Sequence, residues 1–346
     1  MFNYEKQIQH LDQKGITFTK KDVSKEIYLT KYFREENNYF RLRAYRENFE
    51  KDSEGKYQKL DFSYLDDLAS IDRQIRKIII SMTLDIEYHS RLYLLNLLMN
   101  KYENEYGNKI IEEFYSENPT EKEQCNDEID RNSKSLYVSK LCEKHQTLRE
   151  EKNDEKRKGN NLYNSEKKRE FDYDFPIWAF LEVISFGKLI KLYDFCAKKI
   201  FEEDQESIEY CEYKLISSLL KTVKNARNAA AHNNCFINNL NYCHNKSDVF
   251  IHKVVRMYLQ EIGIKYEEKK ENKKILRNNG IAQIFTCLYA HRKIVKSNSV
   301  HKDTCNELQN LKERLFKNLD YEFNTVIRDQ FENIKKVIDR FLSEEI

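Results

Sequence analysis

Glycine and proline are scarce, with 7 and 2 residues in a chain of 346. Hairpins and tight turns draw on both residues, so their near-absence argues against a β-rich fold and for long helices with few sharp breaks. The eight cysteines form no C-x-x-C pair. The first residues, "MFNYEKQIQH", lack the apolar core of a secretory signal, and no uninterrupted apolar run approaches the length of a membrane span. A reduced, cytoplasmic chain without a membrane anchor is the expectation. A surplus of one charge sign is also missing: 60 basic and 58 acidic residues leave a net charge of +2. Attraction to nucleic acid would therefore come from local patches and not from the field of the whole molecule.

What is present is aromatic and helical. The 23 Tyr and 20 Phe argue against disorder, and the length suffices for two or three domains with a buried core. The first sixty residues suggest two or three short helices ending in "NNYFRLRAYRENFEK", with Gly55 at the break. From Asp61 onward Ile75, Ile78, Ile79, Met82 and Ile86 repeat on one face of a helix running toward Met99. A charged zone from Glu143 to Glu170, apolar only at Leu148, Leu162 and Tyr163, suggests a solvated extension or loop. Pro176 then opens "PIWAFLEVISFGKLIKLYDFC", which predicts one long core helix. A third core helix, "YKLISSLLKTVKNARNAAAH", buries Ile216, Leu219, Leu220 and Val223 and places Arg227 next on that stripe. The last hundred residues suggest appended helices. The expected division is 1–60, then 61–245 with a charged insertion at about 116–172, then 246–346.

The end of that third helix, "KNARNAAAHNN", carries the sharpest chemical signal. At about 100° per residue, Arg227 and His232 lie roughly 140° apart on an ideal helix, while Asn228 and His232 are one turn apart. Arginine and histidine converge only if the helix ends at the histidine or if a second chain completes the site. Three alanines between them would let another helix approach. An imidazole can take a proton from a ribose 2′-hydroxyl or give one to a leaving 5′-oxygen, and a guanidinium can hold the charge of a pentacoordinate phosphate, all without metal. No HExxH, paired acidic metal motif, G-x-S-x-G or Walker A pattern occurs. The plainer alternative is that His232 caps a helix and Arg227 pairs with a buried glutamate such as Glu87 or Glu182.

"RNAAAH" resembles the R-x(4–6)-H motif of HEPN ribonucleases, and its surroundings resemble the abortive-infection proteins of AbiD/AbiF type. Asn38-Tyr39-Phe40-Arg41-Leu42 with Ala44-Tyr45 is similar to that family's "NYYRLxGY" segment. Asp72, Arg76, Ile86, Glu87 and Arg91 are similar to its following helix. Trp178, Glu182, Val183, Ser185, Phe186, Gly187 and Leu189 match its W-x3-E-V-x-S-F-G-x-L block. The four blocks keep the family's order over about residues 4 to 245. The chain departs from the pattern at Asn233, where members often carry a second histidine, and in the small size of the residues inside the motif. The resemblance implies an all-α, HEPN-like bundle with N- and C-terminal helical extensions. It also implies a metal-independent endoribonuclease that leaves a cyclic phosphate, joins two motifs across a homodimer and needs no cofactor. Arg227 and His232 would be the catalytic pair and Asn228 a positioning residue, with Glu87 and Glu182 behind them. Proteins of this kind act as toxins restrained by a partner, in some systems a structured RNA.

Other features extend the RNA reading. Arg41, Arg43 and Arg46 interleave with Tyr39 and Tyr45, which could supply phosphate contacts and stacking surfaces; an amphipathic helix with an aromatic core face explains the same pattern. Lys224 beside the motif, Arg292 and Lys293 in "HRKIVKSNSVHK", and the run "KKENKKILRNN" are further candidate contacts. His232, Cys235, Cys243 and His244 invite a zinc reading, but their spacing lacks paired knuckles, and free cysteines are the simpler account. The rivals to a nuclease are a non-catalytic RNA-binding scaffold and a helical interaction module.

Overall fold

The computed structural model describes residues 3–20, 23–101, 108–148, 171–240, 251–264 and 278–343. These residues are all-α, as the composition requires: fourteen α-helices and a π-turn, with one antiparallel pair of three-residue strands as the only sheet among them. Packing divides the chain into two compact units, 1–89 with 218–346, and 90–217. The N- and C-terminal segments belong to one unit, although they are far apart in sequence.

In that unit three short helices come first: α1 (Tyr4–Gln13), α2 (Lys25–Lys31) and α3 (Tyr39–Arg46). The Asn3 and Asn38 side chains cap α1 and α3 by accepting from the N–H of Lys6 at 2.9 Å and of Phe40 at 2.8 Å. A π-turn, Tyr32–Glu36, extends α2 and turns Tyr32 and Phe33 onto Phe62, with ring centroids 5.1 and 6.2 Å away. Phe62 opens α4 (Phe62–Lys101), the longest helix. The isoleucine stripe of α4 is buried as its period predicts.

What covers that stripe is less expected. Ile75, Ile78, Ile79 and Met82 face α12 (Asn279–Ile294), α13 (Asn298–Arg314) and α14 (Thr325–Ser343) through Ile284, Leu288, Leu308, Leu311, Ile334 and Ile338, leaving a void of only about 10 Å³. The C-terminal helices are thus core partners of α4 and not appendages. A buried carboxylate holds them in place: Asp67 accepts from Arg314, from Asn318 at 3.1 Å and from Tyr321 at 2.7 Å.

The second unit holds α5 (Asn108–Glu117), α6 (Pro119–Asn132), α7 (Leu136–His145), the strand pair β1 (Gln146–Leu148) and β2 (Phe171–Tyr173), α8 (Ile177–Val183) and α9 (Phe186–Ile200). Most of the charged zone, 149–170, lies outside the described residues. The helix expected from Pro176 is two helices. Ile184 is extended at ψ 148°, and Ser185 begins the next helix. The break exposes carbonyls that Arg91 of α4 takes up, donating to Leu181 and, at 3.1 Å, to Ile184. Periodicity could not reveal this, because Ile184 keeps the apolar register while its stabilising partner lies 93 residues earlier. Across α9, buried Lys188 donates to Glu121 at 2.7 Å and to Gln124 at 2.6 Å. Replacing Arg91 by alanine leaves two helix-end carbonyls without their cation. It is expected to lower stability by about 2–4 kcal/mol, read as a shift of the urea midpoint; an unchanged midpoint would show that the break holds without it.

Candidate functional site

Helix α10 (Ile208–Ala231) ends where the motif does. Asn233 is in the left-handed region at φ 57°, and its N–H reaches the carbonyl of Ala230 at 3.0 Å, while the N–H of Asn234 reaches that of Ala229 at 2.8 Å. These two bonds are the Schellman closure, with His232 as the last half-helical residue and an asparagine at the position that excludes most side chains. The departure from the family pattern at Asn233 falls on the left-handed residue of this closure, a backbone that asparagine adopts readily.

The faces of α10 differ from the expected arrangement. Its buried stripe continues from Val223 through Ala226 and Ala230, and Arg227 lies on the flank, half-buried. The smallness of the alanines is spent partly inside the chain: Ala230 packs into the core, Ala229 lines a cleft, and Ala231 is exposed. Among the described residues Arg227 makes no ion pair, only a long 3.5 Å contact with the Asn228 side chain. Lys221, Asn225, Asn228 and His232, at i, i+4, i+7 and i+11, form one exposed stripe. His232 thus stands in the open at a helix terminus, one turn beyond Asn228.

The segment after the motif is held by buried polar groups. The Asp72 carboxylate of α4 accepts the N–H groups of Phe236 at 2.7 Å and Ile237 at 3.1 Å, the hydroxyl of Tyr45 at 3.0 Å, and the Arg76 guanidinium. Burial pushes the Asp72 carboxyl above the usual carboxylate range, against the pull of Arg76 and these donors. Burial and the nearby Asp72 push the Tyr45 hydroxyl upward, so it stays a donor. Asn48 adds two bonds, donating to the carbonyl of Ile237 at 2.9 Å and accepting from the N–H of Leu240 at 2.7 Å. Arg41 donates to the carbonyl of Asn233. Gly280, at the start of α12, sits so close that a Cβ there would be 2.0 Å from the Phe236 carbonyl oxygen.

The remaining expected site residues are scattered. Tyr39, Tyr45 and Arg46 are 5%, 0% and 5% exposed, so they belong to the framework and present no stacking surface to RNA. Arg46 instead lies over the Tyr39 ring at 5.3 Å. Arg43 is exposed beside Glu47, and Lys224 is half-buried next to the motif. Arg292 pairs with His301 at 3.0 Å, and it and Lys293 sit near the far end of α12, about 18 Å along the helix from Gly280. Glu87 is half-buried on α4. Glu182 is exposed in the second unit, where Tyr137 donates to it at 3.5 Å. Cys243, His244 and most of "KKENKKILRNN" lie outside the described residues, among which no group of three potential ligands could hold a metal ion. No helix among them is long and apolar enough to cross a membrane.

The sequence matches the family model described as Abi-like protein over residues 32–238. The chain belongs to the Abi-like protein family. Searches of curated proteins and of solved structures returned no match. In this Abi-like protein the matched span runs from the π-turn to Asn238, just past the two N–H groups that Asp72 accepts. It thus contains the motif helix and most of its polar framework, and it stops short of α12.

One part of the site was not legible in the motif. A cleft of about 470 Å³ opens beside the end of α10, lined by Ala229, Asn233 and Asn234 on one side and Asn279, Gly280 and Gln283 on the other, with Arg41 at its wall. The only available signal was the density of amides in "HNNCFINNLN" and "RNNG". Exchanging Asp72 for alanine strands the Arg76 guanidinium and two backbone N–H groups in the core. A loss of about 3–5 kcal/mol is expected in denaturant unfolding of this Abi-like protein, with the segment after His232 the first to gain amide exchange.

Proposed function

We propose that this Abi-like protein is a HEPN-type, metal-independent endoribonuclease of AbiD/AbiF kind, an abortive-infection toxin bound and restrained by a structured non-coding RNA. Family membership supports an abortive-infection-related role. The observation that carries the nuclease reading is the state of the two groups at the end of α10. His232 is exposed on a rigidly closed helix terminus, and Arg227, five residues earlier, has its charge uncommitted to any ion pair among the described residues. A structural arginine would be paired, and a histidine serving only as a cap would not need to project into solvent.

The chemistry follows from those groups. A neutral imidazole accepts the 2′-hydroxyl proton; the 2′-oxygen attacks phosphorus; the bond from phosphorus to the 5′-oxygen breaks and that oxygen is protonated. The products are a 2′,3′-cyclic phosphate and a 5′-hydroxyl. Guanidinium hydrogen bonds and charge hold the phosphorane oxygens. One imidazole cannot accept on one side of the phosphate and donate on the other in the same instant, and Arg227 points away from His232 around α10. Two copies related by a two-fold axis, meeting through the exposed stripe that ends at His232, supply both an acid and a base and bring the Arg227 of one copy to the His232 of the other. RNA as restraint draws on the same surface, where Arg43 and Lys224 add charge without a whole-molecule field.

Purified full-length protein is expected to cut RNA in excess EDTA and leave cyclic phosphate ends. His232→Ala is expected to lower the rate by at least about 10²-fold while the fold is kept, because the side chain is exposed. Undiminished cleavage by this variant, or cleavage only with added divalent metal, overturns the reading. RNA binding without cleavage in the wild type favours a scaffold instead. The shared site makes a separate demand: mixing wild-type protein with an excess of His232→Ala protein should lower cleavage below that of the wild type alone, since each mixed dimer lacks one of its two imidazoles. Cleavage that stays at the wild-type level would exclude a site built across copies.

A further inference from the structure

The cleft beside the end of α10 carries a feature that the proposed phosphate chemistry does not use. Gln283 of α12 is 7% exposed and lines it, yet among the described residues its side-chain amide makes no hydrogen bond. Its polar atoms are not sealed in the core, so at the wall of an open cleft they offer a donor and an acceptor that no described residue takes up. The other polar walls are of the same kind. Among the described residues that line the cleft, Asn234 presents a second amide with no side-chain partner, Asn279 is exposed, and Arg41 carries the only charge. No carboxylate is among the described residues that line the cleft. Asn278, by contrast, is spent: it donates to the carbonyls of Asn238 and Asn239 and caps α12 through the N–H of Ile281.

A primary amide offers one donor beside one acceptor, the complement of the hydrogen-bonding edge of a nucleobase, and proteins read unpaired RNA bases in this way. The cleft volume of about 470 Å³ falls in the range of roughly 300–1,000 Å³ that small organic groups occupy. Its position is informative. Ala229 and Asn233, both in the cleft wall, lie three residues before and one after His232. A phosphate at the histidine therefore places the base of an adjoining nucleotide at the cleft mouth. We propose that the cleft is a base-reading pocket, in which the Gln283 amide pairs with the edge of one nucleobase of the RNA strand held at His232.

This inference rests on RNA being the ligand of the motif, but its test does not require cleavage. The probe is a set of four fluorescent single-stranded RNA oligonucleotides, identical except for one central base, titrated into full-length His232→Ala protein at fixed salt. The expected result is a preference of about tenfold or more between the best and worst base. That preference should collapse in the double variants carrying Gln283→Leu or, with less risk to packing, Asn234→Ala. Gln283→Glu, which exchanges the donor for a second acceptor, should reorder the preference. Equal affinity for all four bases overturns the pocket, as does a preference that survives all three substitutions. Competition by free mononucleotides as strong as by the oligonucleotide also overturns it and assigns the cleft to a soluble nucleotide. Each of these results leaves intact a chelator-resistant cleavage that His232→Ala abolishes. Conversely, loss of that cleavage assignment leaves the base preference measurable.

Discussion

The position of the candidate site depends on one buried carboxylate. Asp72, fully enclosed on α4, gathers Arg76 from its own helix, Tyr45 from α3 and two consecutive backbone N–H groups from the segment that follows the motif. Both of its oxygens are used, which is the condition under which a buried charge is tolerated. Those two N–H groups would otherwise be orphans, because the chain has left α10 and entered no other regular structure there. The carboxylate thus takes the place of a helix or strand for residues 236–237, and the closed end of α10 inherits its position from it.

Around that centre each polar side chain fixes one more coordinate of the same segment. Asn48 brackets it between Ile237 and Leu240, Asn278 takes the carbonyls of Asn238 and Asn239, and Arg41 takes that of Asn233. Gly280 allows the backbone of α12 to approach the Phe236 carbonyl within a distance that no side chain permits. The outcome is a loop without secondary structure and with little conformational freedom. The proposed reactive pair at its edge would need that property: a phosphate in flight would have to meet groups that are already placed, since reorganising them during the reaction would add to the barrier.

Much of this fold is written locally in the sequence, and the remainder is written in contacts between distant residues. The helices α4, α10, α12, α13 and α14 follow from apolar period and scarce glycine. The break at Ile184 does not, because the group that takes up its carbonyls, Arg91, lies on another helix. Arg227 was expected on the core stripe by stepping four residues from Val223, but four residues overshoot a 3.6-residue turn by about 40°, and the structure continues the stripe at three and seven, Ala226 and Ala230. In α3 the alternation of basic and aromatic residues fits either an RNA surface or a core face. Burial decides for the core at Tyr39, Tyr45 and Arg46, leaving Arg43 outside and Arg41 turned toward Asn233. The cleft was the least legible part, since its two walls are more than forty residues apart in sequence and neither wall carries a motif.

That separation has a consequence for how the molecule divides its work. The span shared with the Abi-like family ends at Asn238, so it contains Arg227, His232 and the Asp72 framework, whereas Gln283 and the glycine that seats α12 lie beyond it. The C-terminal helices are nonetheless joined to the shared part by the core along α4 and by Asp67, and not by a linker. An element packed this firmly cannot drift relative to the motif, so any group it presents to the cleft is held at a constant distance from His232. The proposed chemistry of the end of α10 and the proposed selectivity of the cleft wall could then change independently in residue type while remaining coupled in geometry.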